Sequence, residues 1–242
     1  FLGEPANHAA KRSGGGSAVG IYLTNEARTA IGLAKVDNVD KAALTQTEVE
    51  ASQKKANLSS TPDKIVREWK DDLARHPIGK FEFSGHTPPF STLNIEDLSV
   101  KNSRRQDAAT VYGDIDGFTA YVGANIGTDA GAKHMVRALH VLRSELDAVV
   151  HEDFGGRKVR FIGDCIHGLL VEGTAQTTEV EETITNMVLC AGGMRSSFDL
   201  ALEKLKGAGT DTTLGLQVGF EYDPMTVTRL GMKGDLIRCS VS

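Results

Sequence analysis

Residues 106–242 alternate between short apolar runs and two long amphipathic stretches, and this order limits the possible folds more than any other feature. Short runs rich in β-branched residues predict strands, whereas apolar residues that recur every three to four positions predict helices. The predicted elements are strands at 108–113, 159–162, 166–171, 214–220 and 225–230, and helices at about 128–150 and 177–205. We expect turns at Gly163-Asp164-Cys165 and at Asp223-Pro224. The order predicts an α/β fold, a ferredoxin-like βαββαβ sandwich with one further strand.

The first 105 residues are less regular. Residues 1–34 are rich in glycine and small side chains, with one short strand and one short helix. Residues 35–105 contain polar, helix-permissive segments, which we interpret as a linker with helices. Within them, Ser60-Thr61-Pro62-Asp63 is typical of a helix start, because it combines a hydroxyl cap, a first-turn proline and an acid near the positive end of the helix dipole.

Composition excludes several classes of function. The chain has 27 Lys and Arg against 32 Asp and Glu, and this net charge of −5 argues against a general nucleic-acid binder. No apolar run reaches the roughly 18–20 residues that span a membrane, and no signal peptide is visible, so we expect a cytoplasmic protein without membrane contact. The three cysteines are far apart and odd in number, which disfavours a disulfide framework or a structural zinc site.

Two aspartates at the ends of predicted strands suggest a metal site. Asp114 ends the first strand of the predicted core, and Asp164 follows fifty positions later on the hairpin. In a βαββαβ sheet the first and third strands are central neighbours, so the two carboxylates should meet at one edge. Paired carboxylates without His or Cys favour hard cations such as Mg²⁺ or Mn²⁺. Backbone N–H groups at Gly117-Phe118-Thr119 are placed to bind a phosphate, so the set predicts phosphoryl or nucleotidyl transfer with two metal ions.

The same residues have simpler interpretations. An isolated Asp-Gly or Gly-Asp step is more often a turn than a site. A calcium-binding loop is disfavoured because the trailing glutamate is missing.

His134, His140, His151 and His167 show no metal-ligand spacing and are interpreted as structural or surface residues. Cys165 lacks a paired histidine, so a nucleophilic role is not expected.

Around Asp114 and Asp164 the chain resembles the class III nucleotidyl cyclases, the family of adenylate and guanylate cyclases. Tyr112–Thr119 matches the family's first metal motif, F-x-D-I-x-G-F-T, and Arg160–Asp164 matches its hairpin motif, K-x-I-G-D. Val218–Pro224 resembles the next strand pair more weakly, with Asp223 where the family usually has glycine. The resemblance covers residues 106–242 and implies the class III cyclase type of ferredoxin-like sandwich.

The beginning of the chain resembles a motif that comes late in the same family, G-x-x-x-N-x-A-x-R. Asn7 takes the place of the asparagine that orients the ribose, and Lys11 replaces the arginine that stabilises the transition state. A degenerate copy of this motif recurs at 234–242. The chain therefore resembles the end of one cyclase domain (1–34), a linker (35–105) and a second domain that is incomplete at its C-terminus (106–242). The motif order, the start at Phe1 and the abrupt end lead us to expect a piece of a longer protein.

The resemblance also implies roles and partners. Asp114, Asp164 and the carbonyl of Ile115 would hold two divalent ions, Mn²⁺ or Mg²⁺. Gly117, Phe118 and Thr119 would hold the outer phosphates of a nucleoside triphosphate. Cyclase sites form between two domains, so a partner domain is expected, either within the chain as a tandem or in a homodimer.

Arg160 stands at the position of the hairpin motif that helps to select the base in this family. Adenylate cyclases tend to have Lys there and guanylate cyclases Glu. Arginine only donates hydrogen bonds, whereas guanine presents donors at that edge, so Arg160 disfavours GTP. Uracil, cytosine and adenine all offer acceptors and stay open, with UTP favoured because two acceptors flank its edge.

The expected function is cyclisation of a pyrimidine nucleotide, UTP or CTP, to the 3′,5′-cyclic monophosphate and pyrophosphate. The departure from both purine patterns resembles the bacterial pyrimidine cyclases of antiphage signalling, which implies a second messenger in antiviral defence. An adenylate cyclase and a catalytically inactive nucleotide-binding or regulatory domain are the alternatives. A diguanylate cyclase is disfavoured because its Gly-Gly-Asp/Glu-Glu-Phe motif is missing, and a nucleic-acid module by the charge and the low aromatic content.

Overall fold

The computed structural model describes residues 20–57, 59–77, 79–207, 213–230 and 238–241. These residues form two compact units, 20–77 and 79–241. The domain boundaries inferred from the motifs stay predictions.

The smaller unit consists of a two-stranded antiparallel sheet and three helices. Its elements are β1 (Tyr22–Thr24), α1 (Asn25–Ala30), β2 (Lys41–Ala43), α2 (Gln46–Ala56) and α3 (Pro62–Arg75). Thr24, Thr45 and Thr61 each precede a helix, and each side chain accepts a hydrogen bond from a backbone N–H of the first turn. These bonds satisfy donors that the helix itself leaves unpaired. The helix start predicted at Ser60-Thr61-Pro62-Asp63 is confirmed, with Thr61 as the capping residue.

The larger unit is an α/β sandwich. Its elements are β3 (Phe83–Ser84), β4 (Ser103–Asp116), α4 (Phe118–Asn125), α5 (Asp129–Ala148), β5 (Arg157–Ile162), β6 (Cys165–Leu170), α6 (Val180–Gly207), β7 (Gly215–Leu230) and β8 (Arg238–Val241). The sheet order is β5-β6-β4-β7-β8, all pairs being antiparallel, and β3 adds a short parallel pair with β4. The predicted sandwich is confirmed, with the first and third core strands adjacent.

The predicted hairpin at Asp223-Pro224 is wrong. β7 is one continuous strand, and its pairing with β4 runs from Asp116 opposite Gly215 to Arg104 opposite Val227. β4 begins earlier than predicted and therefore offers a partner along most of β7. Pro224 lies outside the part of β7 that pairs with β8, so on that side its missing N–H breaks no ladder bond.

The strands of this sheet have one buried face and one open face. On β4, Ala109, Val111 and Ile115 lie in a buried cluster with residues of α5 and α6, whereas Tyr112, Asp114 and Asp116 are exposed. The cluster includes Ala109, Val111, Ile115, Met135, Leu142, Leu146, Met187, Met194 and Phe198. Gly113 also points to the covered side, where a Cβ atom would lie 2.7 Å from the Met194 side chain. This alternation fixes the backbone of β4 from one side and presents its polar residues on the other.

Candidate active site

Asp114 lies near the C-terminal end of β4 on the open face of the sheet. It pairs with Gln217 of β7, and its side chain is exposed. The next residue, Ile115, is 1% exposed and lies in the core cluster. Because the Ile115 side chain packs in the core, it fixes the position of the backbone that carries the Asp114 carboxylate.

Asp164 lies in the two-residue loop that joins β5 to β6. Ile162 pairs with Cys165 across this loop, and Gly163 has a φ of 66°. That left-handed conformation is strained for most side chains, which explains glycine at the tip. The predicted turn is therefore confirmed, and it presents Asp164 at the end of the hairpin.

The register of the sheet brings Asp114 and Asp164 together. Gly113 pairs with Ile166, so the next position along β4 lies beside Cys165, directly after Asp164. Burial raises the pKa of the Cys165 thiol to about 11, and the negative charges of Asp114 and Asp164 add to this shift. Both carboxylates therefore lie close to Cys165. The thiol stays protonated at neutral pH, which agrees with a non-nucleophilic Cys165, and the two aspartates share one edge of the sheet.

The donor set at this edge fits a hard divalent cation. Carboxylate oxygens and a backbone carbonyl are the ligands that Mg²⁺ and Mn²⁺ prefer. Across the described residues, no group of three or more His, Cys, Asp or Glu side chains is placed to hold a metal. The predicted set has only two such side chains and takes its third ligand from the Ile115 carbonyl, so it differs from a site built entirely from side chains.

The start of α4 provides backbone donors beside Asp116. Gly117 is the N-terminal cap with a φ of 77°, and no side chain caps this helix. Phe118 is 3% exposed and anchors the first turn in the core. The first N–H groups of a helix lack partners within the helix and favour an anion. Gly117, Phe118 and Thr119 therefore lie where a phosphate can be bound.

Arg160 lies on the open face, two strands away from Asp114. It is exposed on β5 and pairs with His167 of β6, which in turn pairs with Tyr112 of β4. Arg160 and the aspartates are therefore on one surface. Asn7 and Lys11 lie outside the described residues, as does the degenerate motif at 234–237, and their roles stay predictions.

His167 is a buried polar residue whose environment the sequence did not reveal. Its ring stacks on Tyr112 with 4.3 Å between centroids, and Nε2 lies 2.9 Å from Thr110 Oγ1. Burial, with a smaller effect of Arg160, lowers the pKa of His167 to about 4. The imidazole is therefore neutral at neutral pH, which agrees with a structural residue.

Arg143 is a second residue that the sequence patterns did not single out. It lies on α5 between the buried Leu142 and Leu146, and its Nη2 donates a hydrogen bond to the carbonyl oxygen of Gly163. Burial lowers the pKa of the Arg143 guanidinium, and the attraction of Asp164 opposes that shift. The sequence signal that could have identified Arg143 is a basic residue next to the buried apolar positions of a helix.

The sheet order and the two helices on one face of the sheet agree with the fold that the motifs predicted. A crystal structure from Pseudomonas aeruginosa, described as a class III adenylyl cyclase-like ATP-binding protein, matches this fold with a TM-score of 0.93. It is 50% identical, and the match covers 100% of this chain and 51% of that protein. The fold and the resemblance predicted from the motifs are confirmed.

Two curated relatives are more specific in name. A uridylate cyclase from Pseudomonas aeruginosa is 51% identical over 242 residues, and one from a Rhizobium species is 40% identical over 257 residues. Both matches cover 100% of this chain, which spans 47% and 48% of the two relatives, about half of their length. No protein-family model matches the chain. None of the described helices is both long and apolar enough to cross a membrane.

Proposed function

We propose that the protein containing this chain is a nucleotide cyclase that converts a pyrimidine nucleoside triphosphate, with UTP favoured over CTP, to its 3′,5′-cyclic monophosphate. The observation that carries this proposal is the convergence of Asp114 and Asp164 at one edge of a class III cyclase fold. The names of the two curated relatives support uridine as the nucleoside. We further propose that the product is a second messenger in antiviral defence, on the resemblance alone.

The aspartate edge has the ligands that the reaction needs. Asp114, Asp164 and the Ile115 carbonyl would hold two divalent ions, Mn²⁺ or Mg²⁺. Such ions, when bound, lower the pKa of a ribose hydroxyl and stabilise charge on the α-phosphate. The ribose 3′-oxygen attacks the α-phosphorus and its proton passes to solvent. The bond from the α-phosphorus to the bridging oxygen breaks, and pyrophosphate leaves.

The remaining groups position the substrate. The first N–H groups of α4, at Gly117 to Thr119, would bind the outer phosphates. Lys11 would stabilise charge that develops on the α-phosphate, and Asn7 would orient the ribose. Because cyclase sites need two domains, we expect a partner domain, in tandem or in a homodimer, to cover the open face of the sheet.

Arg160 would select the base on the same surface. Its guanidinium can donate hydrogen bonds to the acceptors of uracil, but it has no acceptor for the N1–H and the amine of guanine. If guanine binds there, donors face donors, and these desolvated groups stay without a hydrogen bond. This lowers the affinity for GTP.

A second candidate substrate is ATP. The similar Pseudomonas aeruginosa structure is described as an ATP-binding protein, and adenine also offers an acceptor to Arg160. This alternative keeps the fold, the metal ligands and the chemistry, and changes only the base.

The test is an assay of the full-length protein with each of the four nucleoside triphosphates and Mn²⁺, with products resolved by mass spectrometry. Cyclic UMP or cyclic CMP as the main product is expected. Cyclic AMP as the main product would replace the pyrimidine assignment by the ATP alternative. Absence of any cyclic product, with nucleotide still bound, would contradict the proposed activity and favour an inactive binding domain.

A further inference from the structure

Arg143 connects α5 to the tip of the β5–β6 hairpin. Its Nη2 donates a hydrogen bond to the carbonyl oxygen of Gly163, which belongs to the peptide unit that leads into Asp164. The same guanidinium lies 4.7 Å from the centre of the Phe161 ring on β5. One side chain therefore contacts both the strand and the loop on which Asp164 is carried.

The hairpin tip has little packing of its own. Gly163 is exposed, and a Cβ atom built on it would meet nothing within 4 Å. Its φ of 66° is easily adopted by glycine but is not enforced by neighbouring side chains. The contact that Arg143 makes from outside the hairpin therefore restricts a position that side-chain packing around Gly163 leaves open.

The base of the hairpin is held by the same helix. Lys158 of β5 forms an ion pair with Asp147 of α5, and its ammonium lies 5.3 Å from the Phe161 ring centre. The helix is itself fixed, since Leu142 and Leu146 are fully buried. Arg143 thus extends from a rigid element, and the hairpin is anchored at its base by Lys158 and at its tip by Arg143.

We propose that Arg143 is a positioning residue that holds the Asp164 carboxylate in place for divalent metal binding. This inference rests on the proposed function, because Asp164 is a metal ligand only there. A metal ligand must be held within about 0.5 Å of its productive position, and hydrogen bonds from outside the ligand shell provide this. The guanidinium fixes the peptide that precedes Asp164 and places a positive charge near its carboxylate.

The test compares Arg143→Ala with Arg137→Ala in the full-length protein. Arg137 is an exposed arginine on the same helix, so it controls for loss of a cation from α5. Two measurements are made without turnover: the dissociation constant for Mn²⁺, from the electron paramagnetic resonance signal of free Mn²⁺, and hydrogen exchange of the peptide spanning 157–170. Cyclase assays then give the Mn²⁺ concentration for half-maximal activity.

For Arg143→Ala we expect the Mn²⁺ dissociation constant to rise about tenfold, as for other residues that orient metal ligands. Exchange should accelerate at the hairpin tip and stay unchanged in α6. Arg143→Lys should recover part of the affinity, because it keeps the charge but loses the planar fork. Arg137→Ala should match wild type in all three measurements.

Wild-type Mn²⁺ affinity in Arg143→Ala would overturn the inference, even if that variant melts at a lower temperature, because the role would then be structural only. Equal losses in Arg143→Ala and Arg137→Ala would also overturn it. A wild-type protein that binds Mn²⁺ but makes no cyclic nucleotide would contradict the proposed function, while the Mn²⁺ and exchange measurements still decide the role of Arg143.

Discussion

The two faces of β4 differ in what their side chains do. The covered face is apolar and packed against α5 and α6, whereas the open face carries Tyr112, Asp114 and Asp116. From residue 109 to residue 116 the strand alternates between the two faces, so buried apolar residues and exposed polar residues are neighbours in sequence. This arrangement lets a rigid core hold charged groups at an exposed edge without burying them. Variants at adjacent residues of β4 should therefore have separate effects.

Turnover should change most, in a variant that lacks Asp114. Asp114→Ala removes a proposed metal ligand and should reduce turnover at least about 10³-fold, or roughly 4 kcal/mol of transition-state stabilisation. The thermal midpoint should stay near that of wild type, because Asp114 is exposed. The measurement is the initial rate of cyclic nucleotide formation in the full-length protein.

Asp116→Ala is the matched control for this variant. Asp116 is exposed on the same face, two residues further along β4. We expect it to keep turnover within a few-fold of wild type. An equal loss in both variants would mean that general negative charge, rather than a specific ligand, supports the activity.

A loss of folding stability should come from the next residue. Ile115→Ala leaves a cavity under α5 and α6 and should lower the free energy of unfolding by about 2–5 kcal/mol. Ile162→Ala is the matched control, because Ile162 is 47% exposed on the hairpin and should lose less than about 1 kcal/mol. Urea unfolding followed by circular dichroism measures both. Similar losses at the two positions would contradict the division into a packed face and an open one.

His167 should make stability depend on pH. Burial, helped by Arg160, lowers its folded-state pKa to about 4, below the ordinary value near 6.5, so the folded protein resists protonation. The contribution of His167 to the free energy of unfolding is fully present above pH 6.5 and is lost as the pH falls towards 4. The loss amounts to about 3 kcal/mol. His167→Gln should flatten this part of the unfolding profile, whereas His140→Gln, at an exposed position on α5, should leave it unchanged. A profile unaffected by His167→Gln contradicts this assignment.

The smallest effect is expected on base selection. Arg160→Ala should reduce the preference for UTP over GTP about tenfold, the value of one hydrogen bond to a charged group. The ratio of kcat/KM values for the two nucleotides measures it. Because Arg160 is exposed, stability should not change. An unchanged ratio would remove Arg160 from the base-selecting residues.

The sequence predicted the elements that repeat in short-range patterns. The helices α5 and α6 and the β5–β6 hairpin follow from periodicity and turn residues, which act over a few positions. The convergence of Asp114 with Asp164 follows from the strand order of the fold that these elements predict. The false turn at Asp223-Pro224 has the opposite cause. Proline and aspartate favour turns locally, but pairing with a long β4 keeps β7 extended.

Interactions between distant elements were not predictable in the same way. The stacking of His167 on Tyr112 depends on the register of β4 against β6, and the contact of Arg143 with Gly163 depends on how α5 lies over the hairpin. Neither the strand register nor the position of the helix can be read from residue spacing along the chain. The roles of Asn7 and Lys11 come from resemblance and stay predictions.

We propose that Asp114 and Asp164 form one metal site at the open edge of the sheet. The most direct measurement is Mn²⁺ binding by full-length wild type, Asp114→Ala and Asp164→Ala, with Ile162→Ala as the control on the same hairpin. We predict that both aspartate variants lose Mn²⁺ affinity while the control binds like wild type. Wild-type Mn²⁺ affinity in either aspartate variant would contradict a metal site that both carboxylates share.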